Sequence, residues 1–102
     1  MNLQVGERLV LLSTLPQEGN FTTLKIVREL RESLSFSEEE HKTYGFNQEG
    51  DMVFWDKAKD TPKDVHIGEK ATDIIVDALK KLNDNKKLRN EHFTLYEKFV
   101  GG

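Results

Sequence analysis

The sequence predicts an α+β domain that is mainly helical, with about five helices and a short antiparallel β-hairpin or three-stranded sheet. Two observations predict this class. Most of the chain places its apolar residues at helical spacing, whereas residues 44–56 form a stretch rich in aromatic and β-branched residues around a glycine turn. At 102 residues the chain has the length of one domain, which we assign to residues 1–100, with Gly101 and Gly102 as a flexible tail.

Residues 69–83 carry the clearest helical pattern in the chain. Their apolar side chains recur at i, i+3, i+4, i+7, i+8 and i+11, a spacing that gathers them on one helical face. The residues of this stripe are Ala71, Ile74, Ile75, Ala78, Leu79 and Leu82. We predict that this segment is the central core helix and that it packs against the apolar segments 9–15 and 93–100.

Two amphipathic helices are predicted before the central one. The first covers residues 5–15 and is ended by Pro16, which cannot continue a helix. Its inward stripe is predicted to be Val5, Leu9, Leu12 and Leu15, widened by Val10 and Leu11 so that most of the helix circumference is buried. The second helix is capped by Thr22 or Thr23 and runs to about Leu34. Its inward stripe is predicted to be Leu24, Val27, Leu30 and Leu34.

A short third helix is predicted from a capping box. Ser37 is followed three positions later by Glu40, so the serine oxygen can accept from the N3 amide while the glutamate accepts from the cap amide. The helix is expected to end near Gly45. Glu38, Glu39 and Glu40 all lie in its first turn, where the helix dipole favours acidic side chains.

Short strands are predicted between the third helix and the central one. A turn at residues 49–51 separates the two strands of a hairpin, residues 52–55 are the better strand candidate, and residues 65–67 are another. The charged segment 56–64 is expected to be an exposed loop. A last helix is predicted over residues 90–100. Its inward side chains are expected to be Phe93, Tyr96, Phe99 and Val100.

Alternation within the hairpin gives the sharpest hint of function. It puts Val53 and Trp55 on one face and Met52 and Phe54 on the other. We expect one pair to be exposed, and exposed aromatic side chains there would mark a binding surface because aromatic residues dominate interface energetics. The alternative is that these side chains only pack beneath the hairpin against the helices.

Composition and motifs exclude several kinds of site. The formal net charge of −3 provides no overall attraction to nucleic acid or anionic lipid. The absence of cysteine removes disulfides, thiolate catalysis and cysteine-based zinc sites. His41, His66 and His92 form no metal-binding pair, and the glycine motifs of phosphate-binding loops and nucleophile elbows are absent. We therefore predict no enzymatic activity and no metal or other cofactor.

The predicted order of helix, helix, short helix and hairpin resembles that of winged-helix domains. The resemblance implies a helix-turn-helix made by the second and third helices, with the hairpin as the wing. The chain departs from that pattern because no strand is predicted between its first two helices. Its third helix also presents Glu38, Glu39 and Glu40, which phosphates would repel, where a recognition helix presents basic or amide side chains.

Three stretches, residues 15–46, 68–82 and 90–99, are similar to small uncharacterised proteins of bacteriophage and prophage genomes. This resemblance implies an accessory protein that acts by binding a host or phage protein in the host cytoplasm. A cytoplasmic location also agrees with the lack of cysteine. The longest apolar run near the amino end, residues 9–12, is too short for a membrane span or a signal core.

Two functional hypotheses follow. In the first, the protein holds a protein partner or a second copy of itself, and the contact residues are Glu38, Glu39, Glu40, Phe54 and Trp55. An acidic surface bordered by aromatic side chains suits a basic site on the partner. In the second, the chain is a winged-helix DNA-binding regulator, and Lys57, Lys59 and Lys63 of the charged loop contact phosphates.

Overall fold

The computed structural model describes residues 1–101 and confirms the predicted class, α+β and mainly α. The helices of these residues are α1 (Val5–Thr14), α2 (Phe21–Leu34), α3 (Glu38–Tyr44), α4 (Glu69–Asp84) and α5 (Phe93–Phe99). The strands are β1 (Asn2–Leu3), β2 (Asn47–Glu49), β3 (Met52–Phe54) and β4 (Lys63–Asp64). Short 3-10 turns cover Lys57–Lys59 and Asn90–His92.

Helix α4 lies at the centre of the core, as its pattern predicts. Ala71, Ile75 and Leu79 are buried on one face, and the helix contacts α1, α2 and α5. The two expected partners, α1 and α5, are thus confirmed, and α2 is a third. The other half of the predicted stripe is only half-buried and lies at the edge of the core. This half consists of Ile74, Ala78 and Leu82.

Helix α1 is rotated relative to the predicted stripe. Leu9 and Leu12 were expected in the core but are half-buried, whereas Leu11 and Arg8 are buried together with Val5 and Leu15. The reason is Arg8, whose side chain is only 1% exposed. Its hydrogen bonds to other elements hold the face of α1 that carries Arg8 towards the core. A pattern of apolar residues alone would not predict that this face is buried.

Helix α2 begins one residue after its true cap, Asn20. The Asn20 Oδ1 atom accepts a hydrogen bond from the Thr23 amide at 2.8 Å, so the predicted cap at Thr22 or Thr23 is wrong. Asparagine caps as well as threonine does, and it comes first in the chain. Of its predicted inward residues, Val27, Leu30 and Leu34 are confirmed as buried, whereas Leu24 is exposed.

The carboxy-terminal helix also differs from its prediction. The 3-10 turn at Asn90–His92 precedes α5, so the helix begins only at Phe93. Leu95 is fully buried by this start, and Phe93, which was predicted to face inward, is exposed. Tyr96 and Phe99 pack at the edge of the core as expected.

Both sheets are antiparallel and two-stranded. The hairpin β2–β3 is confirmed, with Gly50 at φ 61° in the turn, where the absence of a side chain permits a positive φ. The third strand lies two residues before its expected place and pairs as β4 with β1. Two-residue strands have no alternation to detect, which explains why the sequence did not reveal β1.

Candidate protein-binding surface

Helix α3 is positioned by its two ends. The predicted capping box is present: the Ser37 Oγ atom accepts from the Glu40 amide at 3.1 Å, and Glu40 Oε1 accepts from the Ser37 amide at 3.0 Å. Gly45 ends the helix at φ 58°, in the left-handed region that glycine adopts without strain. These local signals fix where the acidic first turn stands.

The buried side chain of Arg8 in α1 binds the first turn of α3 through hydrogen bonds to Glu40. Its Nη1 donates to Glu40 Oε2 at 2.5 Å and its Nη2 to Glu40 Oε1 at 3.3 Å. The same guanidinium donates through Nε to the Leu34 carbonyl at 3.2 Å and through Nη2 to the Ser35 carbonyl at 2.7 Å. It also stacks 3.9 Å from the centre of the Phe36 ring. The planar fork of arginine thus joins α1, the end of α2 and the start of α3.

Glu40 therefore differs from the two glutamates before it. Its hydrogen bond with Arg8 lowers its pKa to about 2, although partial burial opposes this, with further lowering from the Ser37 amide and from Lys63. Only 20% of its side chain is exposed. Glu38 and Glu39 are exposed and carry their charge on the surface. Of the three glutamates predicted to contact a partner, the structure separates one that joins elements of the fold from two that face solvent.

The charged loop, residues 56–64, lies against α3. Lys63 Nζ is 3.9 Å from Glu40 Oε1, Lys59 Nζ is 3.9 Å from Asp56 Oδ2, and the Lys57 ammonium lies 5.6 Å from the centre of the Trp55 ring. Each of the three lysines proposed for nucleic acid thus already has an acidic or aromatic neighbour. The two sets of site residues predicted from sequence come together on one side of the molecule, and their charges are mixed.

The inner face of the hairpin is anchored to the helices by Trp55. Its ring packs on the helix α1 at Gly6, where an added Cβ would lie 3.4 Å from the indole. Its Nε1 donates to Asp60 Oδ2 at 3.3 Å, and the same carboxylate accepts the Val5 amide through Oδ1 at 3.1 Å. Next to the indole lies a group of mutually contacting rings. It comprises Phe36, His41, Tyr44 and Phe46.

The outer face of the hairpin is open to solvent. Met52 is 62% exposed and Phe54 is 42% exposed. The strand register places Glu49 opposite Met52 and Asn47 opposite Phe54, and both of these polar residues are exposed as well. We call these four residues, Asn47, Glu49, Met52 and Phe54, the hairpin outer face. Phe54 was predicted as a contact residue and lies on it, whereas Trp55 lies on the inner face.

Comparisons with protein-family models, curated proteins and solved structures find no match to this chain. Residues 1–101 contain no group of three or more histidine and acidic side chains placed to hold a metal ion. None of the helices in these residues has the length and apolar composition needed to cross a membrane.

Proposed function

We propose that this chain is a non-enzymatic protein-binding module that docks through the hairpin outer face. The observation that carries the proposal is the exposure of Met52 and Phe54 side by side on a hairpin whose opposite face is fixed to the helices. Large apolar side chains that stand together in water are typical of interaction sites, whereas single ones are common on any surface. Methionine and phenylalanine are also enriched at interfaces.

The anchoring of the hairpin favours binding energetically. A partner that meets a mobile loop must first order it, and that cost reduces affinity. Trp55, held by Asp60 and Gly6, keeps the strands in place before any partner arrives. The hairpin outer face is thus preorganised for contact.

The charges around this face favour a basic partner site. Glu49 and Asp51 are exposed at the hairpin turn, and Glu38 and Glu39 are exposed on the preceding helix. The whole chain carries a formal charge of −3. A phage-type accessory protein that occupies a basic site on a host or phage protein would have this combination of apolar anchors and acidic surroundings.

The DNA-binding alternative has weaker support. A phosphate would have to compete with Glu40 for Lys63 and with Asp56 for Lys59. Titration of the protein into labelled duplex DNA at about 50 and about 200 mM salt tests it, since a phosphate-dominated complex weakens by orders of magnitude over that range. Salt-sensitive binding that is lost in the Lys57→Ala, Lys59→Ala variant would favour the regulator.

The protein-binding proposal is tested by site-specific photo-crosslinking. A photoreactive phenylalanine analogue is placed at position 54 in one variant and at position 21 in a control, because Phe21 is another exposed phenylalanine on a different element. We expect a discrete crosslinked protein band from position 54 only, lost when Met52→Ser is added. Equal crosslinking from both positions, or none from position 54, would contradict the proposal.

A matched charge variant tests the acidic surroundings. Glu38→Gln with Glu39→Gln removes two exposed carboxylates without touching the contact between Arg8 and Glu40, whereas including Glu40 would disturb the fold. We expect the crosslinked band from position 54 to weaken at low salt. An unchanged band would remove these two glutamates from the binding surface.

A further inference from the structure

A second surface, distant from the hairpin in the chain, is a wide groove along α4. It has a volume of about 990 Å³ and is bounded by the end of α1, the α1–α2 connection and residues 85–92. Its apolar lining is a row of half-buried side chains at the edge of the core. The row consists of Ile74, Ala78 and Leu82 of α4, extended by Leu88. Ligand sites in proteins span about 300 to 1,000 Å³, so this groove has room for several side chains of a partner.

Basic side chains outnumber acidic ones among the residues that line the groove. Four cationic side chains line it between the last turns of α4 and the 3-10 turn that follows, namely Lys81, Lys86, Lys87 and Arg89. Within residues 1–101, none of these side chains makes an ion pair or a hydrogen bond. Three carboxylates also line the groove, those of Glu18, Asp77 and Glu91. These carboxylates are likewise outside the ion pairs of residues 1–101, so the cations outnumber them by one, and the cations are concentrated in residues 81–89.

The backbone holds this basic segment in a fixed conformation. The Lys87 amide donates to the Leu82 carbonyl at 2.8 Å and the Lys86 amide to the Asn83 carbonyl at 3.0 Å, which is the Schellman arrangement that closes a helix. It places Lys86 at φ 56°, a left-handed position that glycine usually occupies. A lysine stands there instead and directs a second cation to the groove beside Lys87.

The hairpin outer face has the complementary chemistry. It is a projecting element with apolar Met52 and Phe54, and its turn carries the exposed carboxylates of Glu49 and Asp51. The groove has an apolar lining and unpaired cations. We propose that the hairpin of one copy of this chain docks into the α4 groove of a second copy, with the turn carboxylates against the segment 86–89. This inference rests on the proposed binding role of the hairpin.

The positions of the two surfaces keep a hairpin away from the groove of its own chain. The hairpin packs at Gly6, near the start of α1, whereas Ser13 and Thr14 at its end line the groove. An α-helix rises about 1.5 Å per residue, so α1 alone separates the surfaces by about 12 Å. One chain cannot fill its own groove. The contact is therefore heterologous, and it builds a ring where the rotation closes and an open chain where it does not.

The first experiment measures mass against concentration by analytical ultracentrifugation. The contact is small and bordered by charges, so we expect weak association that becomes visible between about 10 µM and about 1 mM chain and is weakened about tenfold from 50 to 500 mM salt. A single-chain mass throughout this range at low salt would overturn the inference.

Two complementary variants make the test specific. Met52→Ser with Phe54→Ser removes the hairpin anchors, and Lys86→Glu with Lys87→Glu reverses the groove charge. Each variant alone should remain a monomer, while an equimolar mixture should give a 1:1 heterodimer and nothing larger, because only one intact hairpin and one intact groove are left to meet. Retained self-association in either variant, or no heterodimer in the mixture of folded chains, would overturn the proposed contact.

Charge exchange provides the rescue and the control. The groove variant combined in one chain with Glu49→Lys and Asp51→Lys should regain self-association. Lys25→Glu with Arg28→Glu, which are exposed on α2 outside both surfaces, should leave it unchanged. Circular dichroism establishes that each variant is folded. If the wild type is a monomer but the crosslink from position 54 to another protein persists, the second copy is excluded and the protein-binding proposal stands. If the wild type is a monomer and that crosslink is also absent, both proposals are excluded.

Discussion

Helices α1 and α4 have similar apolar content and opposite relations between sequence and structure. The stripe of α4 predicts which side is buried, as Ala71, Ile75 and Leu79 show. The stripe of α1 does not, because Arg8 is buried while Leu9 and Leu12 lie at the edge. The difference teaches that a charged residue can determine a buried face when other elements supply partners for its donors, and those partners are distant in sequence.

The largest expected change in the free energy of unfolding comes from replacing the buried arginine of α1. Arg8→Met should lower the free energy of unfolding by about 3 to 5 kcal/mol, because it removes the shortest ion pair of Glu40 and leaves the buried Leu34 carbonyl and the part-buried Ser35 carbonyl without these donors. Urea unfolding at pH 7 measures it. Arg8→Lys should recover less than half of the loss, since an ammonium cannot reproduce the fork. A loss below about 1 kcal/mol for Arg8→Met would show that the contact between Arg8 and Glu40 is dispensable.

The apolar side of the comparison should respond somewhat less. Leu79→Ala leaves a cavity at the buried centre of α4 and should cost about 2 to 4 kcal/mol. Lys80→Ala, on the exposed side of the same helix, should change the free energy of unfolding by less than about 0.5 kcal/mol. Equal effects at the two positions in urea unfolding would mean that α4 is not the core helix described above.

Lowering the pH should weaken the contact between Arg8 of α1 and Glu40 but should not affect the apolar packing of α4. The folded-state pKa of Glu40 is about 2, below its ordinary value of 4.5, so the stability it provides is fully present above about pH 4.5 and is lost as the pH falls towards 2. The loss should be at most about 3 kcal/mol. Glu40→Gln should flatten the dependence of the free energy of unfolding on pH between 5 and 2, and Leu79→Ala should not. A wild-type profile that is flat over this range would contradict the proposed ion pair.

A smaller acid effect should remain in the Glu40→Gln variant. Burial raises the pKa of Glu7, but hydrogen bonds from the Gln4 amide and from Lys98 outweigh it, and the net pKa is lowered. Its contribution is therefore also lost on acidification. Glu7→Gln added to Glu40→Gln should reduce the remaining slope of the free energy of unfolding against pH, and part of that slope should persist because the amino-terminal ammonium also lowers the pKa of Asp64.

The smallest expected change concerns the end of α4. Lys86→Gly relieves the left-handed backbone and should raise the free energy of unfolding by about 1 kcal/mol. The matched variant Lys87→Gly lies outside the left-handed position and should not stabilise. A Lys86→Gly protein that is less stable than the wild type would show that the lysine side chain itself supports the fold.

Local signals explain most of what could be predicted. The stripe of α4, the box of Ser37 and Glu40, and the turn at Gly50 each need only neighbouring residues, and each is confirmed. Two failures are local, the cap of α2 at Asn20 and the 3-10 turn before α5. The others involve distant contacts. The burial of Arg8 depends on carbonyls 26 and 27 residues away, and the strand at Asn2–Leu3 exists only through its pairing with Lys63–Asp64.

The candidate site was predictable only where local sequence patterns determine it. Alternation identified Met52 with Phe54 as one of two pairs, one of which would be exposed, but the choice between them depends on Trp55 and its contact with Gly6, 49 positions earlier. The acidic first turn was apparent in the sequence, while the separate role of Glu40 required knowledge of Arg8. The α4 groove had no signal beyond a stripe wider than the core could cover.

The ion pair between Glu7 and Lys98 joins residues 91 positions apart, and Leu95 of the same helix fills the core. During synthesis, α1 can meet α2 and α4 before α5 emerges, but its contact with α5 must wait for residues 93–99, so the final packing of α1 is expected to be late. Nascent chains arrested before and after the release of α5 would test this, since protease resistance of α1 in the shorter chain would exclude it. Until α5 emerges, the part of α1 that packs against α5 is accessible to chaperones.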